Sequence, residues 1–386
     1  MRAMVQARFS WGYYGAIIPC VLNIISLQGY LIINTIIGGQ TLGSISPHVG
    51  APLGIVIIAL VTLAVVFSGY QVLHWYEMIV WIPNVIAFVV LLAVSGSHIR
   101  HVPLSGPVAA EASAIMTFGA TLAATNVSWS AITPDYGVYH NGKASGWRIF
   151  AYAYAGFLIS CLPVHLLGAA LTATAPYVPA WRTGLGNGNN IGGLIAATLL
   201  PAGGFGKFLL VLLSLTAPSQ TAPTVYSMCT SLMTALPVSA RVPRFLLAMI
   251  PTAIVIPVAI IGSARFYSTF DNILAFIGYW TAPFCAIVFV EHFVFRKSKW
   301  STYQVLEAWN RPEHPNLSRG YAAVFTFVAT IGIIVLFMQQ QWWTGPIART
   351  GTGDLGMLCG FIFAAIMYLA ARWVERRWET DTWKAA

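Results

Sequence analysis

Long apolar stretches follow one another along almost the whole chain, and short polar or basic stretches separate them. Most of the apolar stretches reach the ~20 residues that a helix needs to cross a bilayer. The pattern therefore predicts an all-α polytopic membrane protein. Its ten predicted spans lie near residues 13–38, 51–69, 73–95, 110–133, 147–171, 205–235, 244–263, 269–293, 321–339 and 354–372.

The connections between the predicted spans are short, with one exception. Residues 294–320 are basic and contain two prolines, which is typical of a connector outside the membrane. We therefore divide the chain into four parts. They are a core of eight predicted spans at 1–293, a cytoplasmic connector at 294–320, two C-terminal helices at 321–372 and a cytoplasmic tail at 373–386.

Composition supports the membrane assignment and gives its orientation. Hydrophobic residues make up 58% of the chain and charged residues 8%, whereas a soluble domain carries about 25% charged residues. With Met1 placed in the cytoplasm, fifteen of the 20 lysines and arginines fall in inward segments. This bias follows the positive-inside rule and predicts that both termini are cytoplasmic. The net charge of +9 is thus attributed to topology, and a nucleic-acid partner is not expected.

The first predicted span carries a polar stripe. Asn23, Ser26, Tyr30 and Asn34 are spaced so that all four lie on one helical face. Such a stripe can face a substrate, or it can form a hydrogen-bonded seam with a neighbouring helix. For Asn23 and Ser26 we predict the seam.

Two other spans contain residues that disturb a membrane helix. The segment 117–139 combines small polar residues with Pro134, and the segment 213–228 contains Pro218 and Pro223. Proline removes backbone hydrogen bonds within a helix. Transporters use broken or kinked helices to offer backbone groups to a substrate. We therefore predict that both segments take part in a binding site.

Several segments resemble the fungal purine-cytosine permease branch of the nucleobase:cation symporter family. The strongest are GAIIPCVLNIISLQGYLIINTIIGGQ at 15–40, SGYQVLHWYEMIVWIPN at 68–84 and GYWTAPFCAIVFVEHFVFR at 278–296. The resemblance implies an incomplete five-plus-five inverted-repeat fold, similar to the leucine transporter, with two trailing helices. Because residues 15–40 resemble the third helix of the family, the first two helices are expected to be missing from this chain.

The resemblance also implies a set of substrate-binding residues. Tyr30 and Asn34 match a family pair in which an aromatic residue precedes an amide by four positions, and Trp129 precedes Asp135 by six. Gln220 and Thr224 match polar positions near Pro223. The family has Trp where this chain has Tyr30, and Asn where it has Thr224. The preferred base is therefore left open.

Three titratable residues are candidates for coupling or gating. They are Glu77, Asp135 and His165, and intramembrane ionisable residues are functional hypotheses by default. For Asp135 we favour a gate or a helix-end group. For His165, ordinary packing remains the stronger alternative. The resemblance implies a proton rather than sodium as the coupling ion.

The sequence indicates transport and not enzyme chemistry. It contains no phosphate-binding loop, no HExxH and no GxSxG. No cofactor and no metal is expected. The predicted function is cation-coupled transport of purines or cytosine by alternating access, with the plasma membrane as the expected location. Two alternatives remain, namely a permease for another heterocycle of the allantoin or vitamin type, and a truncated remnant that acts as a scaffold.

Overall fold

The chain is almost entirely helical. The computed structural model describes residues 1–46, 48–68, 70–102, 111–141 and 144–385. No strand forms in these ranges, and one isolated bridge pairs Gln339 with Thr344. The helices are α1 Ala3–Gly15, α2 Ile17–Gly43, α3 Ala51–Phe67, α4 Tyr70–His101, α5 Ala112–Val127, α6 Thr133–Gly137, α7 Gly146–Thr174, α8 Pro179–Leu185, α9 Ile191–Leu199, α10 Gly203–Ala235, α11 Arg244–Ser263, α12 Phe266–Val290, α13 Val305–Ala308, α14 Tyr321–Phe337 and α15 Gly356–Ala385.

The long apolar helices identify an integral membrane protein. Within the described ranges, seven are long and apolar enough to cross a bilayer, and α3 and α14 are shorter apolar helices. The remaining predicted span, 110–133, is formed by α5 and the 3-10 turn Ser128–Ala131 that follows it. The all-helical prediction is therefore confirmed. α15 continues without a break from the second predicted C-terminal helix into the predicted tail.

The first residues of the chain form a separate helix that the sequence pattern did not predict. α1 contains a sharp kink at Gly12, whose φ is +74°. A side chain at this position would also lie only 2.7 Å from the carbonyl oxygen of Ser318. Trp11, directly before the bend, is fully buried beside Phe327 of α14. The predicted basic lead is therefore a packed part of the fold.

The predicted seam on α2 is confirmed. The amide nitrogen of Asn23 donates to Ser231 Oγ of α10 at 2.9 Å, and Ser26 Oγ accepts from Trp280 Nε1 of α12 at 2.7 Å. Both α2 residues are buried. Because each polar group has a partner on a neighbouring helix, the cost of burying it is offset. These bonds fix α2 between α10 and α12.

α2 and α3 approach each other closely at two glycines, Gly39 and Gly54. A Cβ atom added to Gly54 would overlap the carbonyl oxygen of Gly39, which belongs to the backbone and cannot swing away. We expect Gly54→Ala to lower the free energy of unfolding by about 1–3 kcal/mol, because the two helices must separate. Thermal unfolding in detergent measures the effect. Gly96→Ala on α4 is the matched control, since no described atom lies within 4 Å of its added Cβ. Equal stability of the two variants would contradict the close approach.

An ionic cluster joins the end of α12 to α15. The Arg372 guanidinium lies 2.9 Å from Glu375 and 3.3 Å from Glu291, and Arg296 Nε lies 3.0 Å from Glu291. Tyr368 OH donates to Glu291 Oε2 at 3.0 Å, and this is the same oxygen that Arg372 contacts. All of these side chains are buried. The cluster therefore holds the connector region and the last helix together.

Candidate functional site

A cavity lies between α2, α4, α10 and the segment that follows α5. Its volume is about 520 Å³, within the ~300–1,000 Å³ that is usual for small-molecule sites. It is lined by Tyr30, Asn34, Glu77, Val80, Trp81, Asn84, Trp129, Ile132, Tyr136, Ser219, Gln220, Pro223 and Thr224. All five predicted substrate-binding residues are among them, so the fold brings residues from three distant segments to one place.

α2 supplies Tyr30 and Asn34, one helical turn apart. Tyr30 OH is hydrogen-bonded to Ser128 Oγ at 2.7 Å, which ties α2 to the turn after α5. The Asn34 amide nitrogen donates to the carbonyl oxygen of Tyr30 at 3.0 Å. Since one amide hydrogen and the carbonyl oxygen of Asn34 are left over, the side chain can still bind a partner in the cavity.

The turn after α5 places Trp129 at the cavity wall. α5 ends at Val127, and Trp129 lies in the 3-10 turn Ser128–Ala131 before α6 begins. The break predicted for this segment is therefore confirmed. The Trp129 ring packs edge to face on Phe157 of α7, with centroids 5.9 Å apart. With 36% of its surface exposed, the indole keeps area free for another ring.

α10 contributes Ser219, Gln220, Pro223 and Thr224. The helix runs through both of its prolines without a break. It differs in this respect from the segment 117–139, which the 3-10 turn after α5 interrupts. Pro223 has no N–H, which leaves the carbonyl of Ser219 without its usual helical donor. The Thr224 hydroxyl donates to the carbonyl oxygen of Gln220 at 2.7 Å. In the described part of the chain the Gln220 amide makes no hydrogen bond, and it remains available to a ligand.

Asp135 lies below the cavity and joins three helices. Its carboxylate accepts from the backbone N–H of Ala3 in α1 and from Thr230 Oγ1 in α10, each at 3.2 Å. The side chain is only 2% exposed. Burial raises the pKa of Asp135, while these hydrogen bonds and the nearby Arg2 oppose the rise. The next residue, Tyr136, lines the cavity and donates to the carbonyl oxygen of Pro223 at 3.0 Å.

Comparison with known proteins identifies the family. Residues 1–360 match the family model described as permease for cytosine/purines, uracil, thiamine, allantoin. The chain belongs to this family. It is 36% identical to the purine-cytosine permease fcyB of Emericella nidulans over 96% of this chain and 73% of that protein. It is 33% identical to the purine-cytosine permease FCY21 of Saccharomyces cerevisiae over 98% of this chain and 72% of that protein.

A solved structure gives the fold of this family member. The structure of Mhp1, a nucleobase-cation-symport-1 family transporter, in a closed conformation with bromovinylhydantoin bound, superimposes with a TM-score of 0.68 at 18% identity. The match covers 98% of this chain and 79% of that one. The leucine-transporter-like fold is therefore confirmed. The absence of the first two helices stays a prediction.

The three candidates for coupling or gating occupy different places in this family member. Glu77 lines the cavity, whereas Asp135 is buried in the contacts of α1, α6 and α10. His165 is exposed on α7 and does not line the cavity. Among the described residues, no group of three or more His, Cys, Asp or Glu side chains could hold a metal ion.

Sequence reasoning missed most of the α4 wall. Val80, Trp81 and Asn84 line the cavity together with Glu77, but the segment 68–84 was recognised only as a family resemblance. The spacing of Glu77, Trp81 and Asn84 places them on one helical face. That spacing of an acid, an aromatic ring and an amide was the signal available.

Proposed function

We propose that this family member transports nucleobases, purines or cytosine, across the membrane by cation-coupled alternating access. The observation that carries the proposal is the cavity in which Tyr30, Asn34, Trp129, Gln220 and Thr224 meet. Flat aromatic surfaces next to free amide groups suit a planar heterocycle with hydrogen-bonding edges. The family description and the named permease relatives support the same substrate class.

In the proposed complex, the base lies between Trp129 and Tyr30. Stacking on an aromatic side chain is worth ~1–3 kcal/mol per base. Asn34, Gln220 and Thr224 bind the edge of the base. A ring that leaves one of these groups unpaired is rejected, because an unsatisfied buried polar group costs about 1–3 kcal/mol. The polar contacts thus determine which base is accepted, and stacking on the rings contributes affinity for any base.

We propose a proton as the coupling ion and Glu77 as the group that carries it. Glu77 is the carboxylate among the residues that line the cavity. A charged carboxylate is costly inside the membrane. Protonation removes that cost while the opening of the cavity switches from one side of the membrane to the other. We further propose that the protein resides in the plasma membrane. We place both termini in the cytoplasm, a topology that the distribution of lysine and arginine supports.

Uptake measurements test the proposal. Radiolabelled adenine, cytosine and hypoxanthine are offered to permease-null cells across a pH series. The cells express either this chain or a form preceded by the two expected helices. Saturable uptake by the extended form alone supports both the permease and the predicted missing helices. Saturable uptake by this chain without the added helices would contradict the need for those helices. No uptake by either form, with both at the membrane, would favour another solute or the scaffold alternative.

Replacing Glu77 tests the coupling role. We expect uptake by Glu77→Gln to stop rising as the external pH falls, because a glutamine side chain cannot take up and release a proton. Glu307→Gln, at an exposed position of α13, removes the same charge away from the cavity and serves as the control. An unchanged pH profile in Glu77→Gln would contradict the assignment.

A permease for another heterocycle remains the second candidate. The observation that favours it is Thr224, a hydroxyl at the cavity where the resembling permeases have an amide. A hydroxyl cannot pair with a base edge through two bonds as an amide can. Competition of labelled adenine uptake by unlabelled thiamine and allantoin distinguishes the candidates. Stronger competition by either of these two than by cytosine would favour the second candidate.

A further inference from the structure

A second concave site lies at the connector, far along the chain from the cavity residues. This connector pocket has a volume of about 320 Å³. It is lined by Glu291, Phe295, Arg296, Lys297, Lys299, Thr302, Pro315, Asn316, Arg372, Arg376 and Glu379. Five of these side chains are basic and two are acidic, so the lining carries a net charge of +3.

The acidic groups of the connector pocket are already neutralised. Glu291 is paired with Arg296 and Arg372, and Glu379 lies 3.1 Å from Arg372. Arg296 also donates to the carbonyl oxygens of Thr302 and Asn316, at 2.9 and 3.0 Å. The floor of the pocket is therefore a bonded and buried network. Its two carboxylates are thus already paired with arginines and do not neutralise the cations at the rim of the pocket.

Lys297 and Lys299 line the exposed rim of the connector pocket. Both are exposed, and neither has an acidic partner within 4 Å in the described part of the chain. Their backbone is nevertheless fixed. Lys297 adopts a left-handed conformation with φ of 49°. The N–H of Lys299 donates to the carbonyl oxygen of Arg296, and that of Ser298 to His292, both at 2.9 Å.

Exposed aromatic side chains lie next to or within two positions of pocket-lining residues along the chain. Phe293 and Trp300 are each 60% exposed, and Trp373 on α15 is 53% exposed. Aromatic rings at helix ends are typical of the level of the lipid headgroups. A membrane lipid can place its apolar part against these rings, whereas a soluble anion gains nothing from them. The rings near the two lysines therefore favour a lipid ligand over a soluble anion.

We propose that the connector pocket binds the phosphate headgroup of an anionic phospholipid, with Lys297 and Lys299 as its cationic contacts. Basic pockets at the cytoplasmic ends of membrane helices have the charge and depth that such headgroups require. The lipid would bridge the connector and α15 beside the ionic cluster. This site is independent of the substrate cavity and of the proposed transport.

Lipid binding to the purified full chain tests the proposal. Native mass spectrometry in detergent measures retention of dioctanoyl phosphatidylinositol, with dioctanoyl phosphatidylcholine and inorganic phosphate as competitors. We expect the anionic lipid to be retained, to weaken as salt is raised and to resist both competitors. Retention of phosphatidylcholine to the same degree, or displacement of the lipid by inorganic phosphate at equal concentration, would overturn the proposal.

Variants identify the binding residues. Lys297→Gln with Lys299→Gln should weaken lipid binding about 30-fold, which corresponds to about 1 kcal/mol for each lysine. Lys297→Arg with Lys299→Arg keeps the charge and should keep binding. The matched control is Lys207→Gln with Arg265→Gln, which removes two exposed charges elsewhere on the molecule. Equal affinities for the Gln pair at the connector and for the control pair, with unfolding temperatures unchanged, would refute the assignment.

Discussion

Uptake of the preferred base by the Trp129→Ala variant should show an affinity about 5- to 150-fold lower than that of the unchanged protein. The estimate follows from the ~1–3 kcal/mol that one stacked base contributes. Trp129 is suited to this role because the turn after α5 holds its ring at the cavity wall, where it packs against Phe157 in a T-shaped arrangement and stays 36% exposed. Concentration series of labelled base in cells expressing the transport-competent form give the apparent affinity directly.

Two further variants make this result specific. Trp129→Phe keeps an aromatic face and should retain most of the affinity. Trp147→Ala removes an equally large ring that is 73% exposed on α7 and stacked on Phe150, away from the cavity. If Trp129→Ala and Trp147→Ala transport with the same affinity, the base does not stack on Trp129.

The second large effect concerns stability. Arg372→Met should lower the free energy of unfolding by about 3–5 kcal/mol, because removing one partner leaves buried carboxylates without compensation. Glu291 is 3% exposed and is ion-paired with both Arg372 and Arg296, and Glu375 is 4% exposed and is ion-paired with Arg372. Thermal unfolding of the detergent-solubilised protein measures the loss.

A charge-matched change provides the comparison. Arg377→Met removes the same charge five residues further along α15, where the guanidinium lies over the Trp373 ring, and should cost far less. Combining Arg372→Met with Glu375→Gln should recover part of the lost stability, since the carboxylate that loses its ion-pair partner is then removed. No recovery in the double variant would mean that Arg372 stabilises α15 by packing and not by pairing with Glu375.

The sequence predicted the spans well and the faces of the helices less well. A run of about 20 apolar residues has few structural outcomes, so the positions of the long helices follow from hydropathy. The same uniform apolarity removes the contrast that would reveal which side of a helix faces a cavity. Trp81 and Asn84 on α4 were missed for this reason. On α2 the four polar residues made the stripe visible, and its division into seam and cavity wall corresponds to the contacts found.

Contacts between distant segments were beyond the reach of the sequence pattern. Asp135 was interpreted as a gate or helix-end group, but its partner Ala3 is 132 positions away and donates through the backbone, which leaves no side-chain signature. α1 was missed because it is short and its buried Arg8 reads as a surface charge. In the structure Arg8 donates to the carbonyl oxygens of Trp309 and Thr234, at 2.5 and 2.6 Å. Only the folded chain brings these groups together.

The helices differ greatly in length, and the surrounding lipid must adapt to this difference. α10 has 33 residues and α14 has 17, which correspond to lengths of about 50 Å and about 26 Å, whereas the hydrocarbon layer is ~30 Å thick. α10 therefore has to tilt or project into water, and the bilayer has to thin where Phe325 and Val328 of α14 are exposed. Acyl-chain length thus becomes a physical variable that acts on one side of the molecule more strongly than on the other.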